Sequence, residues 1–127
     1  MQTFVLVKYD AIFRGIVGSV IKMIEDKGFT ILAMEMSSPS ETFWKTHYDE
    51  HFSEDVIAMV IGAPWCDDKV DVVRQVYNLV GSDDIPGTIR GRFSNVGNGS
   101  VCYASKTSEL ALDEIALWFP NYPLKSL

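Results

Sequence analysis

The chain contains no apolar run approaching the roughly 18–20 residues that cross a bilayer, which argues against a membrane span. Its opening, Met1-Gln2-Thr3-Phe4-Val5-Leu6-Val7-Lys8, lacks the basic start and the length of a signal peptide and reads as a strand, so a cytoplasmic location is expected. Cysteine is scarce: Cys66 and Cys102 are far apart and match no zinc or redox spacing, which leaves two reduced thiols as the expectation. Histidine is equally scarce. His47 and His51 lie one turn apart on one helix face, a spacing that suits a metal pair, yet no third ligand accompanies them and no protein-held metal is expected. Basic residues are outnumbered, 11 Lys and Arg against 17 Asp and Glu, for a net charge of −6. That balance argues against a broad nucleic-acid surface, although it leaves room for a local basic pocket.

What is present fits one folded unit spanning residues 1–127, long enough to bury a core. The chain is 47% hydrophobic and 12% aromatic, which excludes disorder. Thr3–Lys8 reads as a buried strand. Val17, Val20, Ile21 and Ile24 repeat at helical spacing, and Gly28 stops that helix after Lys27. Phe29–Met36 forms a second strand. Ser38-Pro39-Ser40-Glu41 carries a capping residue, a first-turn proline and a glutamate in capping-box position, predicting a helix to about His51. Val56–Ile61 is continuously apolar, as a strand buried on both faces should be. Val70, Val73, Tyr77 and Val80 mark another helix, ended by Gly81. Ser82–Gly99 reads as a long loop, and loops of that length in small domains are usually functional. Val101–Ala104 is a short strand, and Ala111, Ile115 and Trp118 line a last helix stopped by Pro120. The order predicts an α+β fold: a ferredoxin-like βαββαβ antiparallel sheet with helices on its face and the 38–51 helix inserted. By spacing alone, Lys8, Arg74 and Arg90 are single cations that read as solvated surface charges.

Three stretches change that reading: Thr3-Phe4-Val5-Leu6-Val7-Lys8-Tyr9-Asp10-Ala11, Pro86-Gly87-Thr88-Ile89-Arg90-Gly91 and Glu114-Ile115-Ala116-Leu117-Trp118-Phe119-Pro120. Together they closely resemble the nucleoside diphosphate kinase family, and the resemblance covers nearly the whole chain. That family moves the terminal phosphate of a nucleoside triphosphate to a diphosphate through a phosphorylated histidine. The resemblance implies that Lys8, Arg74 and Arg90 contact phosphate. It also implies that Tyr48, in His47-Tyr48-Asp49-Glu50-His51, abuts the active centre, and that Ser105 and Glu114 support the residue at the nucleophile position. Magnesium would arrive on the phosphates of a nucleoside di- or triphosphate rather than in a protein cage. Family assemblies further imply a homo-oligomer.

The departures are as specific as the matches. Counted from Arg90 and from Glu114, the histidine position holds Tyr103. Ser100 stands where the family has an asparagine on the ribose, Leu79 where it has a phosphate-binding threonine, and Lys106 replaces an acidic residue. Between His51 and Val56 the lid segment that carries the base-stacking phenylalanine is shortened. Phe52 and Trp65 are the candidates to replace it. A phenol with pKa ~10 is ionised in roughly one molecule in a thousand at pH 7, about 4 kcal/mol from activation. Lys8, Arg90 and Lys106 are expected to reduce that figure by lowering the pKa. Returning phosphate from a phenyl ester remains harder than from phosphohistidine. Tyr103 is therefore read as a plug or ligand contact in a nucleotide-binding protein without normal phosphohistidine transfer. The alternatives are an active kinase with a non-standard nucleophile, or a structural or regulatory assembly unit.

Overall fold

The computed structural model describes residues 1–48, 54–65, 70–93 and 101–123. Four strands, β1 Gln2–Val7, β2 Thr30–Ser37, β3 Val56–Gly62 and β4 Cys102–Ala104, form one antiparallel sheet in the order β2-β3-β1-β4. This is the ferredoxin-like α+β arrangement. Because β1 and β3 are central, both of their faces need cover, and every residue of β3 is buried.

Helices supply that cover on both sides. On one face α2 (Val17–Asp26) and α4 (Val72–Val80) bring Val20, Ile24, Val72 and Val76 against Val5, Val7, Ile57, Met59 and Ile61. On the other, α3 (Glu41–Tyr48) and α6 (Ser108–Trp118) bring Trp44, Ile115 and Trp118 against Phe4, Leu6, Ala58 and Val60. Strand alternation sorts these residues: Val5 and Val7 look one way, Phe4 and Leu6 the other. A bulge at Leu32, between the Ile31↔Ile61 and Ala33↔Val60 pairs, keeps Ile31 on the first face and Ala33 on the second.

Helix ends follow their sequence signals, with one shift. After α2, Gly28 takes φ +91, its N–H reaches the Glu25 carbonyl at 2.9 Å and the Phe29 N–H that of Ile24 at 3.4 Å. This is a Schellman stop, and Ile24 and Phe29 are both buried in the same core cluster. The cap of α3 lies two residues beyond the expected Ser38: Ser40 Oγ accepts the Phe43 N–H at 3.1 Å, and Pro39 precedes the helix rather than opening it. The stretch from 49 to 53, including the rest of that expected helix, His51 and Phe52, lies outside the described residues. Two five-residue helices were not expected: α1 (Tyr9–Phe13), which follows Lys8 directly, and α5 (Ile89–Phe93), inside the segment read as loop. Each contributes one fully buried anchor, Ala11 and Ile89, to the first core face.

Among the described residues, a buried threonine hydroxyl has no partner. Thr3 Oγ1 is enclosed in the sheet without a hydrogen bond, and such a group costs about 1–3 kcal/mol. Thr3→Val, which keeps the shape and removes the hydroxyl, is expected to stabilise the fold by about 1 kcal/mol in denaturant unfolding. A loss of stability would show that the hydroxyl is satisfied in solution.

Candidate functional site

The site is built around a carboxylate on the wrong side of a helix. α6 starts where Thr107 Oγ1 accepts the Leu110 N–H at 3.1 Å, and its buried stripe is Ala111, Glu114, Ile115 and Trp118. Glu114 thus sits on the apolar face at 4% exposure, where an acceptor-only group must find donors. Three hydroxyls converge on it. Tyr103 donates to Oε1 at 2.6 Å, Ser105 donates to the same oxygen at 2.7 Å, and Tyr48 donates to Oε2 at 2.7 Å. Tyr48 in turn accepts the Trp118 indole N–H at 2.6 Å. The network joins α3, β4 and α6, and the rings of Tyr48 and Tyr103 stand edge to face at 6.4 Å.

Tyr103 is placed by register. It pairs with Leu6, so its side chain projects toward α6, whereas its neighbour Cys102, paired with Val7, projects into the opposite core. Burial is the largest influence on the half-buried phenol and raises its pKa; the hydrogen bond to Glu114 and that carboxylate's charge raise it further, as do the Tyr48 and Tyr77 phenols. The expected lowering by Lys8, Arg90 and Lys106 is not met. Lys106 is exposed. Lys8 and Arg90 instead act on Cys102, whose thiol burial pushes up to about 12 against a smaller pull from those two cations.

Lys8 ends β1, with its N–H on the Val101 carbonyl at 2.9 Å. Arg90 is delivered by a closely packed turn. Gly81 (φ +66) and Gly91 admit no side chain, since a Cβ would meet Thr88 Cβ at 2.3 Å and the Ile85 carbonyl oxygen at 1.9 Å respectively. Thr88 Oγ1 donates toward the Ile85 carbonyl at 2.7 Å and accepts the Gly91 N–H at 3.0 Å, capping α5. Arg90 Nε then donates to Asp83 Oδ1 at 3.0 Å. Arg74, by contrast, is 75% exposed on α4 and only 3.9 Å from Asp71. Leu79 is core.

Comparison with known proteins decides the family. The family model described as nucleoside diphosphate kinase matches residues 1–124. The chain belongs to the nucleoside diphosphate kinase family. It is similar to the nucleoside diphosphate kinase of Exiguobacterium sibiricum, 36% identical over 134 residues covering 97% of each chain. Those of a Nocardioides species (37% over 132 residues, 95% of this chain and 98% of the relative) and Thermus thermophilus (36% over 135 residues, 93% and 94%) are alike.

Within this nucleoside-diphosphate-kinase fold, Tyr48, Tyr103, Ser105 and Glu114 come together in one hydrogen-bonded group, while Lys8 and Arg90 share an electrostatic neighbourhood at Cys102. Arg74 is hydrogen-bonded to neither group, and Ser100 lies outside the described residues. Trp65 is not beside Lys8. Register places Gly62 opposite Gln2, and the Trp65 ring would lie 3.1 Å from a Cβ on Gly28, so it caps the far end of the sheet. About five strand residues, roughly 17 Å, separate that end from Lys8. Among the described residues no cluster of three or more His, Cys, Asp or Glu is disposed to hold a metal, and His47 is exposed beside Phe43. Sequence reading missed Asp83 and Thr88, which orient Arg90, and Trp118 as donor to Tyr48. Both Thr88 and Trp118 lie within the three motifs, but neither motif marks its hydrogen-bonding role.

The raised phenol has a sign that can be tested. Stability from a protonated Tyr103 is fully present below the unfolded pKa of ~10 and is lost as pH rises above it toward the folded value. In a tyrosinate absorbance titration, the native protein and Tyr103→Phe are expected to release equal numbers of phenolates up to about pH 11. A Tyr103-dependent phenolate below about pH 10 would contradict the geometry.

Proposed function

We propose that this protein binds nucleoside di- or triphosphates through Lys8, Arg90 and Arg74 and does not pass phosphate through residue 103. The observation that carries the reading is the 2.6 Å hydrogen bond in which the Tyr103 hydroxyl donates to Glu114. A phenolic nucleophile must lose its proton as the bond to phosphorus forms. The bond to Glu114 holds the phenol in its protonated form; to attack phosphorus it would have to pass that proton to Glu114, and burial beside the carboxylate raises its pKa and disfavours the phenolate. Its relatives are nucleoside diphosphate kinases, which supports the nucleotide as ligand. Magnesium enters as part of the nucleotide, held by phosphate oxygens. Exposed Met34 and Met36 on edge strand β2 support self-association, since unpaired apolar edges are commonly covered.

Calorimetric titration with Mg-ADP tests the binding. Lys8→Ala and Arg90→Ala are each expected to weaken it about tenfold, about 1.4 kcal/mol and typical of one charge-assisted hydrogen bond. With labelled ATP, the wild type is expected to acquire no label, whereas Tyr103→His is expected to acquire acid-labile label. The proposal fails if no nucleotide binds, or if the wild type phosphorylates GDP at a turnover in the ordinary enzyme range of about 1–1,000 per second.

A further inference from the structure

Tyr9 and Phe13 are four apart on α1 and share its outer face. Their rings stack at 6.0 Å with 27° between planes, yet Tyr9 is 37% and Phe13 76% exposed. Two stacked aromatics turned to water contribute little to the core, whose anchor on this helix is Ala11. The helix is nonetheless firmly held. The Ala11 N–H reaches the Lys8 carbonyl at 3.1 Å, and Arg14 donates to Asp10 at 2.8 Å and to the carbonyl of Phe93, the last residue of α5. The aromatic pair, Lys8 and the helix that carries Arg90 are therefore one coupled unit. Phe13 lies five residues from Lys8, about 8 Å of helix axis.

Other aromatics are placed elsewhere. Trp65 is at the opposite end of the sheet, Tyr48 and Tyr103 are bound to Glu114, and Phe43 packs on Trp118 at 5.0 Å. Tyr77, on α4, is the remaining aromatic among the described residues with comparable exposure, and it has no stacked partner among them.

We propose that the Tyr9–Phe13 stack is a platform for the nucleobase of the di- or triphosphate whose phosphates Lys8 and Arg90 take. The inference rests on the nucleotide-binding reading above and adds the base subsite. A flat ring offers every base a π-face and, apart from the Tyr9 hydroxyl, nothing that reads base edges, so selectivity among bases is expected to be small.

The test compares Mg-ADP with inorganic tripolyphosphate, which has the charge but no base, on the full chain. A Tyr9→Ala/Phe13→Ala double variant is expected to bind ADP at least about fivefold more weakly, the lower end for loss of base stacking, and tripolyphosphate as before. Tyr9→Phe is expected to retain ADP affinity, and the base protons of bound ADP to shift upfield in the wild type but not in the double variant. Circular dichroism confirms that the variants fold. Unchanged ADP affinity and base-proton shifts in the double variant overturn the platform while leaving nucleotide binding intact. Equal weakening of ADP and tripolyphosphate overturns it too, because the pair would then only support Lys8. If the wild type binds neither ligand, the nucleotide-binding reading fails and the platform falls with it.

Discussion

Glu114 holds its carboxylate at 4% exposure on the apolar face of α6, and the second core face is organised around satisfying it. An acceptor taken out of water needs donors, and the three it receives come from separate elements: Tyr48 from α3, Tyr103 from β4 and Ser105 just after it. The Trp118 indole extends the chain through Tyr48. Removing one donor would leave the others and a partly orphaned oxygen, so the elements are fixed jointly rather than in pairs.

On the proposed reading, that constraint also makes the side chain at 103 decide the chemistry. An imidazole has two nitrogens: one N–H can anchor to a carboxylate while the other presents a lone pair to phosphorus. A phenol has one oxygen for both tasks. Placed beside Glu114, it is used as a donor, and burial together with the neighbouring carboxylate raises its pKa away from the phenolate. The same acid that would orient a histidine keeps a tyrosine protonated. Nothing in the rest of the fold needs to differ for this to happen, which is consistent with close likeness to nucleoside diphosphate kinases across residues 1–124.

Much of the fold was legible because its signals were strong. The unbroken apolar run of β3, the Gly28 stop and the β1 run each correspond to a buried or capped element in the structure. Short elements were not. α1 and α5 span five residues each, too few for a helical period to show, and α5 contains Gly91, which reads as a breaker until the Ile85 carbonyl is seen packed against it. Local order of residues also misled at Ser38-Pro39-Ser40, where either serine satisfies a capping pattern and only the Ser40 geometry reaches the Phe43 N–H. Site residues divided the same way. Tyr48, Ser105 and Glu114 were named for their motif positions, but the register that turns Tyr103 toward α6 and Cys102 toward the opposite core is a tertiary fact. Trp65, one of the two candidates for the missing ring, needed one step of topology: a residue just after β3 lies at the start of β1, not at its end.

On the proposed reading, the Arg90–Asp83 pair sets how readily phosphate enters. Arg90 is 33% and Asp83 48% exposed, and an ion pair so open to solvent contributes roughly 0–1 kcal/mol. It is strong enough to keep a long side chain from wandering, since Thr88 and the flanking glycines already hold the backbone that bears it. It is also weak enough to yield, because a polyphosphate brings more than one negative charge and oxygens that a planar guanidinium grips in pairs. A buried pair would behave oppositely, with a desolvated carboxylate left behind each time the arginine moved. Partial exposure of Asp83 therefore favours a cation that is held in place before binding and transferred, at little cost, to the ligand.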